Sequence, residues 1–555
     1  MPGISAVKTM IPFSKKGISW QAYWTPQYQD VLDAMTTEPS NDDKLQQAKL
    51  MKGLVDGGYF AKADLLDFFF VDSADNVRNW AAPATFVPEQ VNSPVFEAYR
   101  GFTGNVAASR YLKLGFIPST HCTKAAKDSI TVFVGVSTDV NDNGYDFGVF
   151  DGTNQLSTIL RWTGTKNFFI NSNVSADLLN DNSIGHYSFS RSAATKVFNE
   201  KNLVREHASK TSTNLPTKEL YACARNGNGT PNISGKQFMY VLIFSYLEDW
   251  ERNNITVLLN DYTKAYGLDL LTATIAYTSN ERTLAPLTTY VVGNDETIHP
   301  SVINAGLAIN GFQYWMANTP FPSLLGGTPS DYENPSIWHS TDGLTWAIPA
   351  GLTNPIEAKP ALSFNADVDI IYDNGLLYCF FSNGGTLVAK SSDDGVTWGV
   401  KSTITIDEAN FLSPSVIKVG ATFYCYYMKV DGGVYTVQRS SSNNILGPYA
   451  GQEEIEVLGA GALGHWHLDI LYDSGTYWLM VINPGGIWIM TSSDGTHFTV
   501  NGYDPLLMNE KAFELPGFYR PSLMRLNSSE LILYYVGFSG DGYQTAKVKV
   551  KILNI

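Results

Sequence analysis

Residues 367–381 read DVDIIYDNGLLYCFF, and the same order of apolar strand, short turn and aromatic strand recurs along the last 270 residues or so. The other copies are HPSVI at 299, SPSVIKVGATFYCYYM at 413, HLDILYDSGTYWLMV at 467 and RPSLMRLNSSELILYYV at 520. Their third residues, Ser301, Asp369, Ser415, Asp469 and Ser522, lie 46 to 68 residues apart, which is close to one four-stranded blade each. The repeat therefore predicts a five-bladed β-propeller over residues 285–555.

The last repeat leaves too little chain for a complete blade, because few residues follow Ser522. Closing the ring removes exposed strand edges, so a strand from the start of the domain should complete the final blade. We expect the segment LTTYVV at 287–292 to supply it.

The N-terminal half predicts two further regions. Between residues 27 and 69, apolar residues recur at three- and four-residue steps, which indicates short amphipathic helices. From about 95 to 245 the pattern changes to short alternating runs separated by Asn, Gly, Asp and Ser, which is typical of a β-sandwich. The expected fold class is mainly β, with a helical attachment and assembly region at 1–90, a sandwich at 91–275 and the propeller at 285–555.

Composition narrows the possible partners. Asp and Glu number 53 against 38 Lys and Arg, and the formal net charge of −15 has the wrong sign for binding phosphate backbones, so no nucleic acid is expected. No apolar run approaches the roughly 20 residues of a membrane span, and we expect no secretion signal. The four cysteines, at 122, 223, 379 and 425, are too scattered for a disulfide framework, so we expect them to be free.

Three stretches between the repeats have the spacing of a tight Asp-Gly turn, namely HSTDGLTW at 339, SSDDGVTW at 391 and SSDGTHF at 492. In such a turn the carboxylate accepts backbone hydrogen bonds and the aromatic residue packs between blades. These stretches are therefore predicted to be structural.

The mouth of the propeller channel is the expected functional site, because the starts of the five innermost strands meet there. These starts are rich in acidic and histidine residues. Residues two apart in a strand point to the same side, so Asp367 shares a side with Asp369, and His465 and His467 share one with Asp469.

A further acidic candidate is Glu333, which follows a Pro- and Gly-rich loop at 320–332 that we expect to overhang the channel. Glycoside hydrolysis needs two carboxyl groups facing one cleft, since one protonates the leaving oxygen and the other activates water or attacks the sugar. We predict that the catalytic acid and base are among Asp369, Asp469 and Glu333. The residues predicted to contact the sugar or to set the charge of these groups are His299, Asp367, His465, Trp466, His467, Tyr519 and Arg520.

Two alternatives stay open for these residues. The first is a structural role: Asp369 and Asp469 occupy equivalent repeat positions and would accept backbone hydrogen bonds between neighbouring blades. His465 and His467 share a strand face and, with His299 or Asp469, could bind a metal ion. Two fixed ligands do not define a metal site, so none is predicted, and calcium in the channel is the one candidate cofactor.

The middle segment resembles the concanavalin-like, laminin-G type jelly roll of large viral and bacterial surface proteins. The resemblance depends on RGFTGNVAASRYLKLGFIPS at 100, LYACARNGNGTP at 220 and FSYLEDWERNNITVLLNDYTKAYGL at 244. The C-terminal segment resembles the five-bladed glycosidase superfamily, especially glycoside hydrolase family 43, in the form found in bacteriophage tail fibres and tailspikes. That resemblance depends on HPSVI, YWMANTPFP at 314, YENPSI at 332 with STDGLTW at 340, and HWHLDI at 465.

Three functional hypotheses follow from the resemblance. The first is a homotrimeric tail fibre or tailspike of a virion, bound to other tail proteins, that binds and hydrolyses the polysaccharide of the host cell surface. The second is a receptor-binding fibre without catalysis, which His299 favours because the family has its catalytic Asp at that position. The third is a bacterial arabinan or xylan hydrolase.

Overall fold

The structure is a computed structural model that describes residues 19–72, 79–83, 85–180, 182–271, 275–277, 282–325, 328–359, 364–458, 465–483, 485–500, 506–509 and 511–552. The chain divides into two compact units, Met1–Asn202 with His207–Leu271, and Leu203–Glu206 with Thr272–Ile555. Strands dominate both units, which confirms the mainly β fold class. Among the described residues, no helix is both long and apolar enough to cross a membrane.

The helices belong mostly to the first unit. The α-helices are Pro26–Ala34, Asn41–Asp56, Pro118–His121 and Asp249–Lys264, and the 3₁₀ helices are Trp20–Tyr23, Phe60–Lys62, Pro329–Asp331 and Ala512–Glu514. Asn41–Asp56 starts where the Ser40 side chain accepts a hydrogen bond from the Asp43 backbone N–H, which satisfies one otherwise free donor of the first turn.

Two large sheets make up most of the first unit, and Val204–Glu206, at the start of one edge strand, is the part of them that the division assigns to the second unit. One has eight strands, Val204–Ser209, Lys196–Lys201, Gly185–Arg191, Ile130–Val136, Gln237–Phe244, Gly101–Thr103 and Val95–Glu97 in spatial order, with Ala63–Phe68 also paired to Gln237–Phe244. The other has nine, Ala176–Leu179, Thr165–Ile170, Gln155–Trp162, Phe147–Phe150, Tyr221–Ala222, Tyr111–Lys113 and Glu89–Val91, with Ala224–Gly227 and Thr230–Ile233 paired beside Phe147–Phe150.

Alternation along the strands places apolar residues on both faces of the eight-stranded sheet. Val132 and Val134 face the core that the two sheets share, whereas Phe133 between them faces a second core. That second core contains Leu50 and Leu54 of the helix Asn41–Asp56. The N-terminal helices thus share a core with the sandwich, and their role in attachment or assembly stays a prediction.

The second unit is the propeller, and its sheets confirm five blades. Blade 1 contains Thr297–Ile309, Phe312–Pro320 and Ser336–Ser340; blade 2 contains Asn365–Asp373, Leu376–Asn383, Thr386–Ser392 and Ser402–Thr403. Blade 3 contains Phe411–Val419, Thr422–Asp431, Val434–Ser442 and Ala450–Glu454; blade 4 contains His467–Asp473, Thr476–Asn483, Gly486–Ser492 and His497–Val500, with Glu456–Leu458 and Leu507–Met508. Blade 5 contains Gly517–Arg525, Glu530–Ser539 and Gly542–Ile552, with Ile275–Tyr277 and Thr283–Leu284.

The ring closes through chain that precedes blade 1, as expected, but LTTYVV is the wrong segment. Ile275–Tyr277 and Thr283–Leu284 pair antiparallel with Gly542–Ile552. LTTYVV instead forms a turn, in which Thr289 N donates to Asp295 Oδ1 at 3.0 Å and Thr289 Oγ1 donates to the Asn294 carbonyl at 2.6 Å. The backbone N–H of Thr289, which in a strand would bond to the neighbouring strand, is thus used within the turn.

The three Asp-Gly stretches form the predicted turns. Asp394 Oδ1 accepts hydrogen bonds from the backbone N–H groups of Val396 and Thr397 at 2.7 and 2.6 Å. These bonds favour the ionised carboxylate and lower the pKa of Asp394 to about 2. The four cysteines, all within the described part of the chain, are free as expected.

The lowered pKa predicts acid sensitivity of the propeller. An unfolded Asp has a pKa of about 3.9, so as the pH falls from about 4 to 2 the unfolded chain binds a proton before folded Asp394 does. The ionised Asp394 carboxylate therefore contributes fully to the free energy of unfolding above pH 4, and this contribution should decrease between pH 4 and pH 2. The free energy of unfolding of the Asp394→Asn variant should fall less over the same interval. Urea unfolding followed by tryptophan fluorescence at pH 4.5 and 2.5 measures this. Replacing the exposed neighbour, Asp393→Asn, is the control, and an unaltered pH dependence in Asp394→Asn would contradict the assignment.

Candidate active site

A break in strand register aims the first residues of the inner strands into the channel. The register shifts between Ala366 and Asp369 in blade 2, and corresponding shifts occur in blades 1, 3 and 5. At these bulges His299, Asp367 and Ser413 have φ of 59°, 54° and 52°, in the left-handed region that side chains other than glycine rarely adopt. Bulges of this kind redirect side chains next to functional sites.

His299 and Asp367, together with His467 at the start of the unbulged inner strand of blade 4, form a group that we call the His–Asp–His cluster. One ligand atom from each lies within 4.8 Å of the others, and all three residues are buried. His299 Nε2 is 3.4 Å and His467 Nδ1 is 3.6 Å from Asp367 Oδ1. Atoms bound to one metal ion at about 2.1 Å lie roughly 3–3.5 Å apart, so the cluster is close to the geometry of a metal site.

The nitrogen nearest Asp367 is Nε2 in His299 and Nδ1 in His467, and in His467 this nitrogen also lies close to the Ser413 hydroxyl. His299 Nδ1 lies 3.1 Å from Thr319 Oγ1, and His467 Nδ1 lies 2.5 Å from Ser413 Oγ. The Nε2 atoms of both rings are buried without a hydrogen-bond partner among the described residues. Asp367 N donates to His299 Nδ1 at 3.3 Å. Burial lowers the pKa of His467 to about 3 and that of His299 well below its usual value, so both rings are neutral and each has one nitrogen with a lone pair.

Glu333 and Arg520 flank the cluster. Glu333 Oε1 is 3.2 Å from His299 Nδ1. Burial, and to a smaller extent the charge of Asp367, raises the pKa of Glu333 well above its usual value. Arg520 Nη1 is 3.4 Å from Asp367 Oδ1, and Arg520 Nη2 donates to the Pro414 carbonyl at 2.9 Å. The site thus combines a carboxyl group able to hold a proton with an aspartate paired to a cation.

Two aromatic residues form one wall of the site. The ring of Tyr519 lies 4.4 Å from that of His467 and 5.3 Å from that of His299, and the Trp466 ring is perpendicular to it at 4.7 Å. Burial, with the charges of Asp367 and Glu333, raises the pKa of Tyr519 well above its usual value, so its hydroxyl remains a hydrogen-bond donor. This wall can contact the apolar face of a sugar.

The two aspartates predicted as catalytic belong to a different layer, the serine–aspartate ring, which contains Ser301, Asp369, Ser415, Asp469 and Ser522. Ser301 Oγ donates to Asp369 Oδ1 at 2.9 Å, and Asp369 Oδ2 accepts from Val416 N at 2.8 Å. Ser415 Oγ donates to Asp469 Oδ1 at 2.6 Å, Asp469 Oδ2 accepts from Leu523 N at 3.4 Å, and Ser522 Oγ accepts from Val302 N at 3.1 Å. Every blade is therefore bonded to the next.

Asp369 and Asp469 also line a half-open cavity of about 420 Å³ between the inner strands, which the His–Asp–His cluster does not line. The charged side chains along its wall are paired, since Lys418 lies 2.5 Å from Asp373 and Arg525 pairs with Asp473. The structure thus brings neither aspartate together with Glu333. Their catalytic role stays a prediction.

The remaining predicted residues divide between the cluster and its surroundings. His299, Asp367, His467, Trp466, Tyr519 and Arg520 come together with Glu333. His465 does not join them, and its ring instead lies 5.3 Å from that of Trp488. The metal alternative grouped His465 with His467, whereas the structure brings His467 together with His299 and Asp367. The position two residues before each repeat marker, which reads His, Asp, Ser, His and Arg through the five blades, contains the signal that was missed.

No known protein-family profile matches the chain. The chain is similar to an A type blood N-acetyl-alpha-D-galactosamine deacetylase from Flavonifractor plautii, with 36% identity over 127 residues. These residues make up 21% of this chain, and the match spans only 16% of the length of that relative.

Two solved structures are similar to about half of the chain. An N-acetylgalactosamine deacetylase from F. plautii, in complex with blood group B trisaccharide, matches 50% of this chain and 95% of that chain at 21% identity, with a TM-score of 0.43. A thermostable family-43 glycoside hydrolase matches 48% of this chain and 96% of that chain at 15% identity, with a TM-score of 0.35.

Proposed function

We propose that the protein is a metal-dependent hydrolase that removes the N-acetyl group from an amino sugar, releasing acetate and leaving a free amine. The observation that carries this proposal is the buried His–Asp–His cluster with Glu333 beside it. Three protein ligands leave coordination positions open, which is the arrangement of a catalytic metal site. The stretch that is 36% identical to a sugar deacetylase supports the choice of reaction.

Glu333 carries out the proton transfers of the proposed reaction. His299, Asp367 and His467 would hold a divalent cation, which would supply Lewis acidity for the attack of water on the acetyl group. Glu333 takes a proton from the attacking water and passes it to the sugar nitrogen as the C–N bond breaks. The raised pKa of Glu333 makes its ionised carboxylate a stronger base for taking the proton from water.

The neighbouring residues bind the sugar and orient the Asp367 carboxylate. Arg520 pairs with Asp367 and holds the carboxylate toward the two histidines. The Tyr519 hydroxyl is a donor for a substrate oxygen, and its ring with that of Trp466 forms the wall against which the sugar packs.

An acetate-release assay tests this function. We expect the protein, supplied with Mn²⁺ or Zn²⁺, to release acetate and expose a primary amine on oligosaccharides that end in N-acetylgalactosamine or N-acetylglucosamine. EDTA should stop the reaction, and added cation should restore it. Absence of acetate from both sugars with metal-loaded protein would contradict the proposal.

Glycoside hydrolysis is the second candidate, because carboxyl groups of Glu333 and Asp367 both lie against the His299 ring, at 3.2 and 3.4 Å. Two carboxyl groups beside one cleft are what that reaction requires. New reducing ends without acetate, in the same incubations, would favour this candidate over deacetylation.

The similarity to carbohydrate enzymes favours the third sequence hypothesis, in its general form of an enzyme acting on carbohydrate, over a tail fibre. Polysaccharide or oligosaccharide is therefore the partner we propose. Location in a virion tail, contact with tail proteins and assembly into a trimer stay predictions.

A further inference from the structure

The Tyr290 hydroxyl bonds to both chain neighbours of Glu333. Tyr290 Oη donates to the Tyr332 carbonyl at 2.7 Å and accepts from Asn334 Nδ2 at 2.8 Å. We propose that Tyr290 is a positioning residue that fixes Glu333 against the His–Asp–His cluster. This inference rests on the proposed function, in which Glu333 transfers the protons.

Glu333 needs such support because it lies outside the strands. It sits between the 3₁₀ helix Pro329–Asp331 and the strand Ser336–Ser340. Its own backbone N–H makes a long hydrogen bond of 3.4 Å to the Ser330 carbonyl. A buried carboxyl group on such a segment is held by the side chains that anchor its neighbours rather than by a sheet ladder.

Further hydrogen bonds connect Asn334 to the blade 2 strand that contains Asp367, one of the three residues of the cluster. Asn334 Oδ1 accepts from Asn365 Nδ2 at 3.0 Å, and Asn365 Oδ1 accepts from Asn383 Nδ2 at 2.5 Å. Asn365 begins the inner strand of blade 2, two residues before Asp367. Tyr290 and this row of amides therefore fix the segment of Glu333 relative to the strand of Asp367.

Tyr290 is itself held in place by its own turn. Thr289, the preceding residue, bonds to Asp295 and Asn294 across that turn. None of the hydrogen bonds described for Tyr290 goes to the cluster itself, so loss of its hydroxyl removes support for Glu333 and leaves the metal ligands unchanged.

The first test is Tyr290→Phe, which removes the hydroxyl and keeps the ring. We expect kcat for acetate release to decrease about tenfold, since small misplacements of a catalytic group cost one to two orders of magnitude. KM and the affinity for Mn²⁺ in calorimetry should stay within twofold. The control is Tyr449→Phe, which loses a 2.8 Å bond to the Ile445 carbonyl in the same unit and should keep full activity.

The second test asks whether Tyr290 acts through Glu333. In the Glu333→Gln background, adding Tyr290→Phe should cost less than twofold, because the group that it positions is already disabled. A further tenfold loss in the double variant would overturn the inference, as would unchanged kcat in Tyr290→Phe.

A third measurement does not depend on turnover. In metal-free protein, amide hydrogen exchange of peptides covering residues 332–336 should be at least fivefold faster in Tyr290→Phe than in wild type, and unchanged in Tyr449→Phe. If the wild type releases no acetate, the proposed function is wrong, and the hydrogen exchange measurement then tests by itself whether Tyr290 positions the segment of Glu333. Unchanged exchange at 332–336 would overturn it whatever the activity.

Discussion

Replacing Glu333 with glutamine is expected to lower kcat for acetate release by about 10²–10⁴-fold, the usual loss when a general acid or base is removed. The amide keeps nearly the same shape in this buried position but cannot carry a proton between water and the sugar nitrogen. Mn²⁺ affinity by calorimetry should stay within a few-fold of wild type, because Glu333 is not among the three ligands. Assays at saturating substrate and cation measure the effect.

A matched control for this variant is Glu453→Gln. Glu453 is an exposed glutamate of blade 3 whose partner is Arg439, at 2.9 Å. It should retain wild-type activity. If Glu333→Gln also kept more than a third of the wild-type rate, the proton-transfer role of Glu333 would be wrong, even with deacetylation demonstrated.

Loss of a cluster ligand is expected to abolish metal binding and activity together. His467→Ala and Asp367→Asn should each weaken Mn²⁺ or Zn²⁺ binding by at least a hundredfold, since changes to residues that only orient a ligand already cost about 10–100-fold. Calorimetric titration of EDTA-treated protein measures the affinity directly. Tight binding retained in both variants would show that the cluster is not the metal site.

The same variants should lose stabilisation by the cation. A cation at 100 times its Kd stabilises the folded state by about 2.7 kcal/mol, so it should raise the melting temperature of wild type. We expect little such rise for His467→Ala or Asp367→Asn. His497→Ala is the control, because that histidine is exposed on the surface of blade 4 and should leave the response unchanged.

The repeat was enough to predict the propeller because each copy contains its own strand periodicity and turn. Location of the site at the strand starts follows from the same argument, which points to His299 and Asp367, whereas Glu333 is indicated by the loop at 320–332 before it. Strand alternation alone could not separate Asp367 from Asp369, since it places both on one side of the strand. The structure separates them by the bulge, a local change in backbone conformation at Asp367 that the residue types do not reveal.

The closing strand and the role of Tyr290 were missed for a related reason. LTTYVV has the composition of a strand, but Asp295 and Asn294 offer Thr289 nearby partners, and the turn that results takes precedence. The contact between Tyr290 and the neighbours of Glu333 joins residues about forty positions apart in sequence through a backbone carbonyl, which any residue possesses. Residue types therefore cannot predict it.

Closure of the ring by Ile275–Tyr277 and Thr283–Leu284 has a consequence for synthesis on the ribosome. Their partner, Gly542–Ile552, leaves the exit tunnel only after the inner strands of all five blades, so the earlier residues stay unpaired while those blades are translated. At roughly 5–20 residues per second this wait lasts on the order of tens of seconds, during which the nascent chain exposes a strand edge open to misassociation. Efficient production in a foreign host should therefore depend on chaperones that bind nascent chains, more than the stability of the finished ring suggests.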